Sequence, residues 1–198
     1  MINHHFLIVS IGNPTARFQC LHSAGHFVNQ GLQRYLQLPP FEPTTFVTPG
    51  NLVTRSLKYT MVQSPTLMNV SGPFVLRALR RERDTYDGSD ITLVLLHDEL
   101  EQDFGVVKAR PWSGSARGNR GVQSCLKAIQ ESKFPPSSLA RIAIGIGRPP
   151  ERDVDTVRDY VIQRINPEKV KALRDLAVQV SGLLRGLETE WIARKKPE

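Results

Sequence analysis

Cysteine is nearly absent: Cys20 and Cys125 are the only two in 198 residues, and no Cys-x-x-Cys or Cys/His spacing accompanies them. A disulfide framework and a zinc site are both excluded as readings, so buried reduced thiols are expected, with no metal and no cofactor. Long hydrophobic runs are missing as well. The longest, Ile91 to Leu96, has strand length and falls far short of the ~20 residues of a membrane span, so no membrane association is expected. Five residues precede the first apolar run at Phe6, which is short for a targeting peptide. The chain therefore reads as cytoplasmic, with mitochondrial location the alternative. No heptad seam or second apolar face is evident, which makes a monomer the expectation. No Gly-x-Ser-x-Gly nucleophile motif occurs either.

What is present is a core and an uneven charge. With 40% apolar residues the chain can bury one substantial core, and its length suits one domain over residues 1–198. The formal charge is +7. All of that excess sits between Gly105 and Arg148, where eight bases face one acid, Glu131; the remainder is balanced. Charge gathered in one quarter of a chain suggests a surface for a polyanion, nucleic acid first and membrane surface second.

Apolar patterning alternates strand and helix. Phe6–Ile11 reads as a buried strand breaking into Gly12-Asn13-Pro14, and the apolar positions 24, 27, 28, 32, 35 and 36 mark one helix face. Weaker strands are expected at Phe46-Val47, Leu52-Val53 and Tyr59–Val62. Ser71 reads as the cap of a helix with Arg77, Arg80 and Arg81 outward. The strongest strand is Ile91–Leu96, followed by a short strand Val106–Arg110, a helix through Val122–Ile129 and a buried strand Arg141–Ile146. Asp155–Ile165 is a short amphipathic segment, and Asn166-Pro167 opens a helix expected to run to about 196. This is an α/β fold: a single domain with a twisted, mostly parallel mixed β-sheet flanked by helices. Ligands in such sheets lie beyond the carboxyl ends of strands, which points to Asn13 and to His97-Asp98.

Polar residues cluster where apolar runs stop, at Gly12-Asn13-Pro14, His22-Ser23-Ala24-Gly25, Met68-Asn69-Val70-Ser71-Gly72 and His97-Asp98-Glu99-Leu100. Singly, each has a bland reading: His22 as a helix flank, Asn69 as a turn residue, Asp98 as an acceptor for loop donors. Together with the small and basic run ending at Gly121 and with Gly145-Ile146-Gly147-Arg148-Pro149, their order and spacing resemble the bacterial-type peptidyl-tRNA hydrolase family over residues 6 to about 190. The resemblance implies an enzyme that cleaves the ester between a peptide and the terminal ribose of tRNA.

The residue types suit that chemistry. Histidine titrates near neutrality, so His22 is the expected base that activates water. A carboxylate on its other nitrogen would fix the tautomer. His97 and Asp98 point to opposite sheet faces, and the resemblance selects Asp98. Asn13 and Asn69 offer amides for the peptide carbonyl, ribose or water, and Asn119, Phe18 and Met68 are placed with them as substrate contacts. Lys108, Arg110, Arg117, Arg120 and Arg141 are expected on tRNA phosphates, which bind bases in a salt-dependent, sequence-independent way. Lys127 and Lys133 are expected on a solvated face, and the basic end Arg194-Lys195-Lys196 suits the helix dipole.

The chain departs from the family's pattern at the usual His-Asn before Gly121, where it has Asn119-Arg120. Ser23 replaces an asparagine, Phe18 a tyrosine and Thr15 a glycine. Two functions of different class follow: an active hydrolase, favoured by His22, Asp98, Asn13 and Asn69, and a non-catalytic RNA-binding relative, favoured by Arg120. A hydrolase of other acylated substrates is a third reading, and it leaves the basic segment unexplained.

Overall fold

A computed structural model describes residues 4–14, 17–87, 90–130 and 139–195. Thr15, Glu131, Lys133 and Lys196 lie outside these residues. Seven strands form one sheet in the order β2-β3-β4-β1-β5-β7-β6. The centre is parallel: β1 (His5–Ser10) lies between β4 (Tyr59–Gln63) and β5 (Ile91–Glu99), and β5 pairs in turn with β7 (Leu139–Gly145). The edges are antiparallel, with β2 (Glu42–Thr44) and β3 (Asn51–Arg55) on one side and β6 (Val107–Pro111) on the other.

Strand periodicity divides the core. On β1, Phe6 and Ile8 face one side with Phe27, Val28 and Leu32 of α1 (Ala24–Tyr35), while Leu7 and Val9 face the other with Phe74 and Val75 of α2 (Gly72–Arg83) and Val122 and Cys125 of α3 (Arg120–Gln130). Both faces of the central strands are therefore covered, and their sequences read as continuous apolar runs for that reason. α4 (Val154–Ile162), α5 (Pro167–Asp175) and α6 (Ala177–Lys195) add Val161, Leu173, Val180 and Leu184 to the α1 side.

Several expectations change. Phe46-Val47 is not a strand: both residues sit in the hairpin loop, where the Asn51 side-chain oxygen accepts from the Val47 and Thr48 amides at 3.1 and 3.2 Å, and the strand is Glu42–Thr44. Ser71 does not cap α2 with its hydroxyl, which donates to the Leu67 carbonyl; the Gly72 amide instead donates to Ser124 Oγ on α3 at 3.0 Å. β5 continues through His97, Asp98 and Glu99 because β7 pairs with it to Gly145.

The long C-terminal helix is two. Asn166 does cap its start, accepting from the Lys169 amide at 2.8 Å. At Leu176 the backbone tightens to an i→i−3 bond with Leu173, while Leu173 of α5 and Val180 of α6, seven residues apart, both bury on the α1 side. α5 approaches α1 closely: a Cβ on Gly31 would stand 2.0 Å from the Arg174 carbonyl oxygen. Gly31→Ala is expected to force the helices apart and lower stability by about 1–3 kcal/mol, read from urea unfolding. An unchanged midpoint would show that the helices accommodate the methyl group without strain.

Candidate active site

The carboxyl ends of β1 and β5 carry the site. After β1 the chain turns at Gly12 and Asn13, and a single 3-10 turn, Leu21–Ser23, leads into α1. α1 starts almost on top of the sheet: a Cβ on Gly25 would lie 2.7 Å from the Leu96 carbonyl oxygen and 2.9 Å from that of Ile11. A side chain at position 25 would lift the helix and carry His22 away from β5. The His-x-x-Gly spacing thus has a steric basis.

With the helix seated, His22 Nδ1 lies 2.7 Å from Asp98 Oδ2. Asp98 is buried, and the His22 side chain keeps 22% of its surface exposed. A carboxylate accepts, so Nδ1 carries the hydrogen and the lone pair of the neutral ring is at Nε2. The second carboxylate oxygen is also held: Asn119 Nδ2 donates to Asp98 Oδ1 at 2.9 Å and to the Asp98 carbonyl at 3.1 Å. Asn119 Oδ1 in turn accepts from the Val122 amide at 3.0 Å and caps α3. The residue in the family's histidine position thereby locks the carboxylate that orients His22.

Asn13 is buried beside them. Its side-chain oxygen accepts from the Met68 amide at 3.4 Å, its Nδ2 points to Cys20 Sγ at 3.7 Å, and its backbone is clasped by Ser23 Oγ. The structure thus brings Asn13 to the segment Met68–Val70, where Met68 is buried and Asn69 exposed. Phe18 is half-buried with its ring stacked on His26 and edge-on to Phe27, bracing the first loop against α1. Cys20 and Ser23 escape a reading from sequence as supports of Asn13. No motif marks them, because their role depends on the 3-10 turn folding the loop back. Nor does the sequence expose the buried set under Asn13, where His26 Nδ1 and Asn29 Nδ2 meet Ser10 Oγ at 2.8 and 3.0 Å.

His97 takes the opposite face, with Nδ1 donating to the Asp98 carbonyl at 2.8 Å. Burial pushes its pKa down to about 4, which keeps it neutral and away from base catalysis at neutral pH. Beneath it lies the one expectation on the basic residues that the structure overturns. Arg141 is only 2% exposed, and its guanidinium donates to the carbonyls of Pro111, Gly114 and Ser115 at 2.7–3.4 Å. It pins the loop after β6 from inside and is no phosphate ligand. The reason is register: Arg141 lies between Leu95 of β5 and Arg110 of β6, paired on both sides, on the face that α3 covers. Lys108, Arg117 and Arg120 are exposed and Arg110 is half-buried; Arg148 is paired with Glu101. Lys127 is exposed on α3. Among the described residues no group of three or more His, Cys, Asp or Glu could hold a metal, and no helix is long and apolar enough to cross a membrane. Burial pushes the Cys125 thiol up to about 12, leaving it inert.

An imidazole oriented by a buried carboxylate, at the carboxyl edge of a parallel sheet, suits the chemistry of a hydrolase. Comparison with known proteins narrows that class. The family model described as Peptidyl-tRNA hydrolase matches residues 7–195, and the chain belongs to that family. It is similar to the peptidyl-tRNA hydrolase of Geotalea uraniireducens, 30% identical over 95% of this chain and 92% of that protein. The Aquifex aeolicus peptidyl-tRNA hydrolase is 30% identical over 92% and 90%, and a probable peptidyl-tRNA hydrolase of Schizosaccharomyces pombe is 30% identical over 92% and 82%. The crystal structure of the Acinetobacter baumannii peptidyl-tRNA hydrolase shares the fold with a TM-score of 0.65, covering 96% of this chain and 95% of that one at 21% identity.

Burial lowers the His22 pKa, but the Asp98 charge and hydrogen bond outweigh it and leave the value above the ordinary 6.5. The raised folded value means that His22 protonation favours the folded state below pH 6.5, a contribution lost as pH rises through the folded pKa. In Asp98→Asn only burial remains, so the His22 imidazole is expected to titrate below 6.5 when followed by proton NMR. A value that stays above 6.5 in the variant would show that Asp98 does not set it.

Proposed function

We propose that the chain hydrolyses the ester bond of peptidyl-tRNA, releasing peptide and free tRNA, with His22 as the base. The observation that carries this reading is the 2.7 Å contact between His22 Nδ1 and Asp98, itself locked by Asn119. His22 Nε2 takes a proton from a water, whose oxygen attacks the ester carbonyl carbon. Asp98 stabilises the imidazolium that forms. Asn13 and Asn69 donate amide hydrogens to the carbonyl oxygen as it gains charge. As the bond from carbonyl carbon to ribose oxygen breaks, His22 returns the proton to that oxygen, which leaves as the free ribose hydroxyl. Met68 shapes the wall beside Asn13. Lys108, Arg110, Arg117 and Arg120 hold phosphates of the acceptor end. In this reading the enzyme acts as a monomer in the cytoplasm, where Cys20 and Cys125 stay reduced.

The non-catalytic RNA-binding reading rests on Arg120 in place of an asparagine. Arg120 is exposed at the first residue of α3, and the polar contacts to Asp98 come from Asn119 one residue earlier. The substitution therefore leaves the His22–Asp98 pair its support.

Purified protein is expected to cleave N-acetyl-aminoacyl-tRNA, with a rate that rises with pH through the raised His22 pKa. His22→Ala should lower cleavage by about 10²–10⁴-fold while tRNA binding persists. Salt-sensitive tRNA binding without cleavage by the wild-type chain would sink the enzyme in favour of the RNA-binding reading.

A further inference from the structure

Counted along the sequence, everything outside Gly105–Arg148 is neutral, but the fold redistributes that charge. α2 buries Phe74, Val75, Ala78, Leu79 and Glu82 and exposes Pro73, Arg77, Arg80 and Arg81 along one stripe, with exposed Arg83 and Asp84 at its end. The helix's one acid, Glu82, faces inward, where His5 at 2.9 Å, Arg55 at 3.0 Å and Thr60 at 2.6 Å satisfy it. It serves the interior and offsets little of the arginine charge outside.

α3 runs alongside. Its exposed positions are Arg120, Gln123, Lys127 and Gln130, a stripe without a carboxylate. The two helices nearly touch where Gly72 meets Ser124, since a Cβ on Gly72 would lie 2.1 Å from the Ser124 carbonyl oxygen. Each helix leads into a strand of the parallel set, α2 into β5 and α3 into β7, so both run away from the catalytic edge. From the level of that approach, Lys127 is about 4.5 Å further down α3 and Arg77 about 7.5 Å further down α2, at 1.5 Å per residue. By the same rise Arg77 lies roughly 14 Å and Arg81 roughly 20 Å below the level of Arg120, with Arg81 on the flank of α2 toward Glu42 and Arg55.

The local physics disfavours this arrangement in a protein that binds nothing there. Arginines near a helix carboxyl end suit its dipole, which accounts for Arg80 and Arg81 but not for Arg77, farther from that end. Arg77 stands three and four residues before them, a like-charge spacing that works against the helix. At the other end, Arg120 puts a cation at the amino terminus of α3, where the dipole opposes it. A row of phosphates would relieve both.

We propose that the α2 stripe, Arg77, Arg80 and Arg81, together with Lys127 of α3, is a second RNA-contact surface that grips the phosphate backbone of the duplex part of the substrate, away from the acylated end. The inference rests on the hydrolase reading above for its substrate. The stripe meets charge and not base edges, so it adds affinity without sequence preference. A long RNA bound through Arg117 and Arg120 reaches this surface; an acylated trinucleotide does not.

The test is the full-length variant Arg77→Ala/Arg80→Ala/Arg81→Ala, with all three positions exposed and outside the catalytic edge. Its affinity for deacylated tRNA should fall about tenfold or more, and the slope of log affinity against log salt should shrink by roughly 2–3, at nearly one for each phosphate no longer neutralised. KM for N-acetyl-aminoacyl-tRNA should rise in parallel while kcat, and cleavage of an acylated CCA trinucleotide, stay at the wild-type level. The triple lysine variant should recover most of the affinity, because the role is charge. Wild-type tRNA affinity and salt slope in the alanine variant would overturn the stripe, as would an equal loss on the trinucleotide. Retained tRNA affinity with lost binding to anionic vesicles would also overturn it, in favour of a membrane surface. The binding arm needs no turnover, so failure of wild-type cleavage would count against the hydrolase reading alone.

Discussion

The Asp98 carboxylate is the constraint on which the remaining structure depends. One oxygen receives His22 from the α1 side of the sheet, and the other receives Asn119 from the loop that opens α3. A buried carboxylate with a donor on each oxygen has one orientation, and through it two helices on opposite faces are referred to a single strand end. That arrangement is possible only because β5 continues three residues beyond its apolar run and stays paired with β7. It also needs Gly25, since the backbone of α1 must lie against the carbonyls of Leu96 and Ile11 for His22 to arrive.

Behind the carboxylate stands a second level of support. Arg141 holds three carbonyls of the loop after β6, and Arg117 and Gly118 follow in the left-handed region at φ of 47° and 82° before Asn119 begins the cap. Arginine in that conformation carries a conformational cost that a loop keeps only when its ends are fixed. Arg141 fixes one end and the Asn119–Asp98 bond the other. The basic loop is therefore tied at both ends to the sheet edge that carries Asp98.

Much of this fold is legible from residues alone, and the limits are physical. Strand and helix positions follow from apolar periodicity wherever a segment is buried on a sheet face, as for β1, β5 and α1. Periodicity fails at Phe46-Val47, where apolar side chains pack from a loop, and at Leu176, where both halves of a helical pattern share one apolar face across an offset. The motifs single out His22 and Asp98, which the fold brings 2.7 Å apart, because each stands near an element end that the sequence marks. Arg141 is misplaced by sequence reasoning because a charge in a sequence carries no sign of burial: its acceptors are backbone carbonyls, which leave no trace in composition. The same blindness hides the α2 stripe, since Glu82 counts against its arginines in the sequence but turns inward to His5 and Arg55.

Asn119-Arg120 shows how a departure from a family's pattern can keep its chemistry. A neutral imidazole offers one donor and one acceptor on opposite sides of a ring, and a primary amide offers both from one short branch. Asn119 uses the donor on Asp98 and the acceptor on the Val122 amide, so it caps the helix and locks the carboxylate at once. With that position filled by an amide, the next one no longer has to supply it. It is free to carry a charge, and the structure turns it outward, where α3 begins. The exchange puts the amide one residue earlier in the chain and leaves an exposed cation at the first residue of α3. The His22–Asp98 pair keeps its support while the charge stands clear of it.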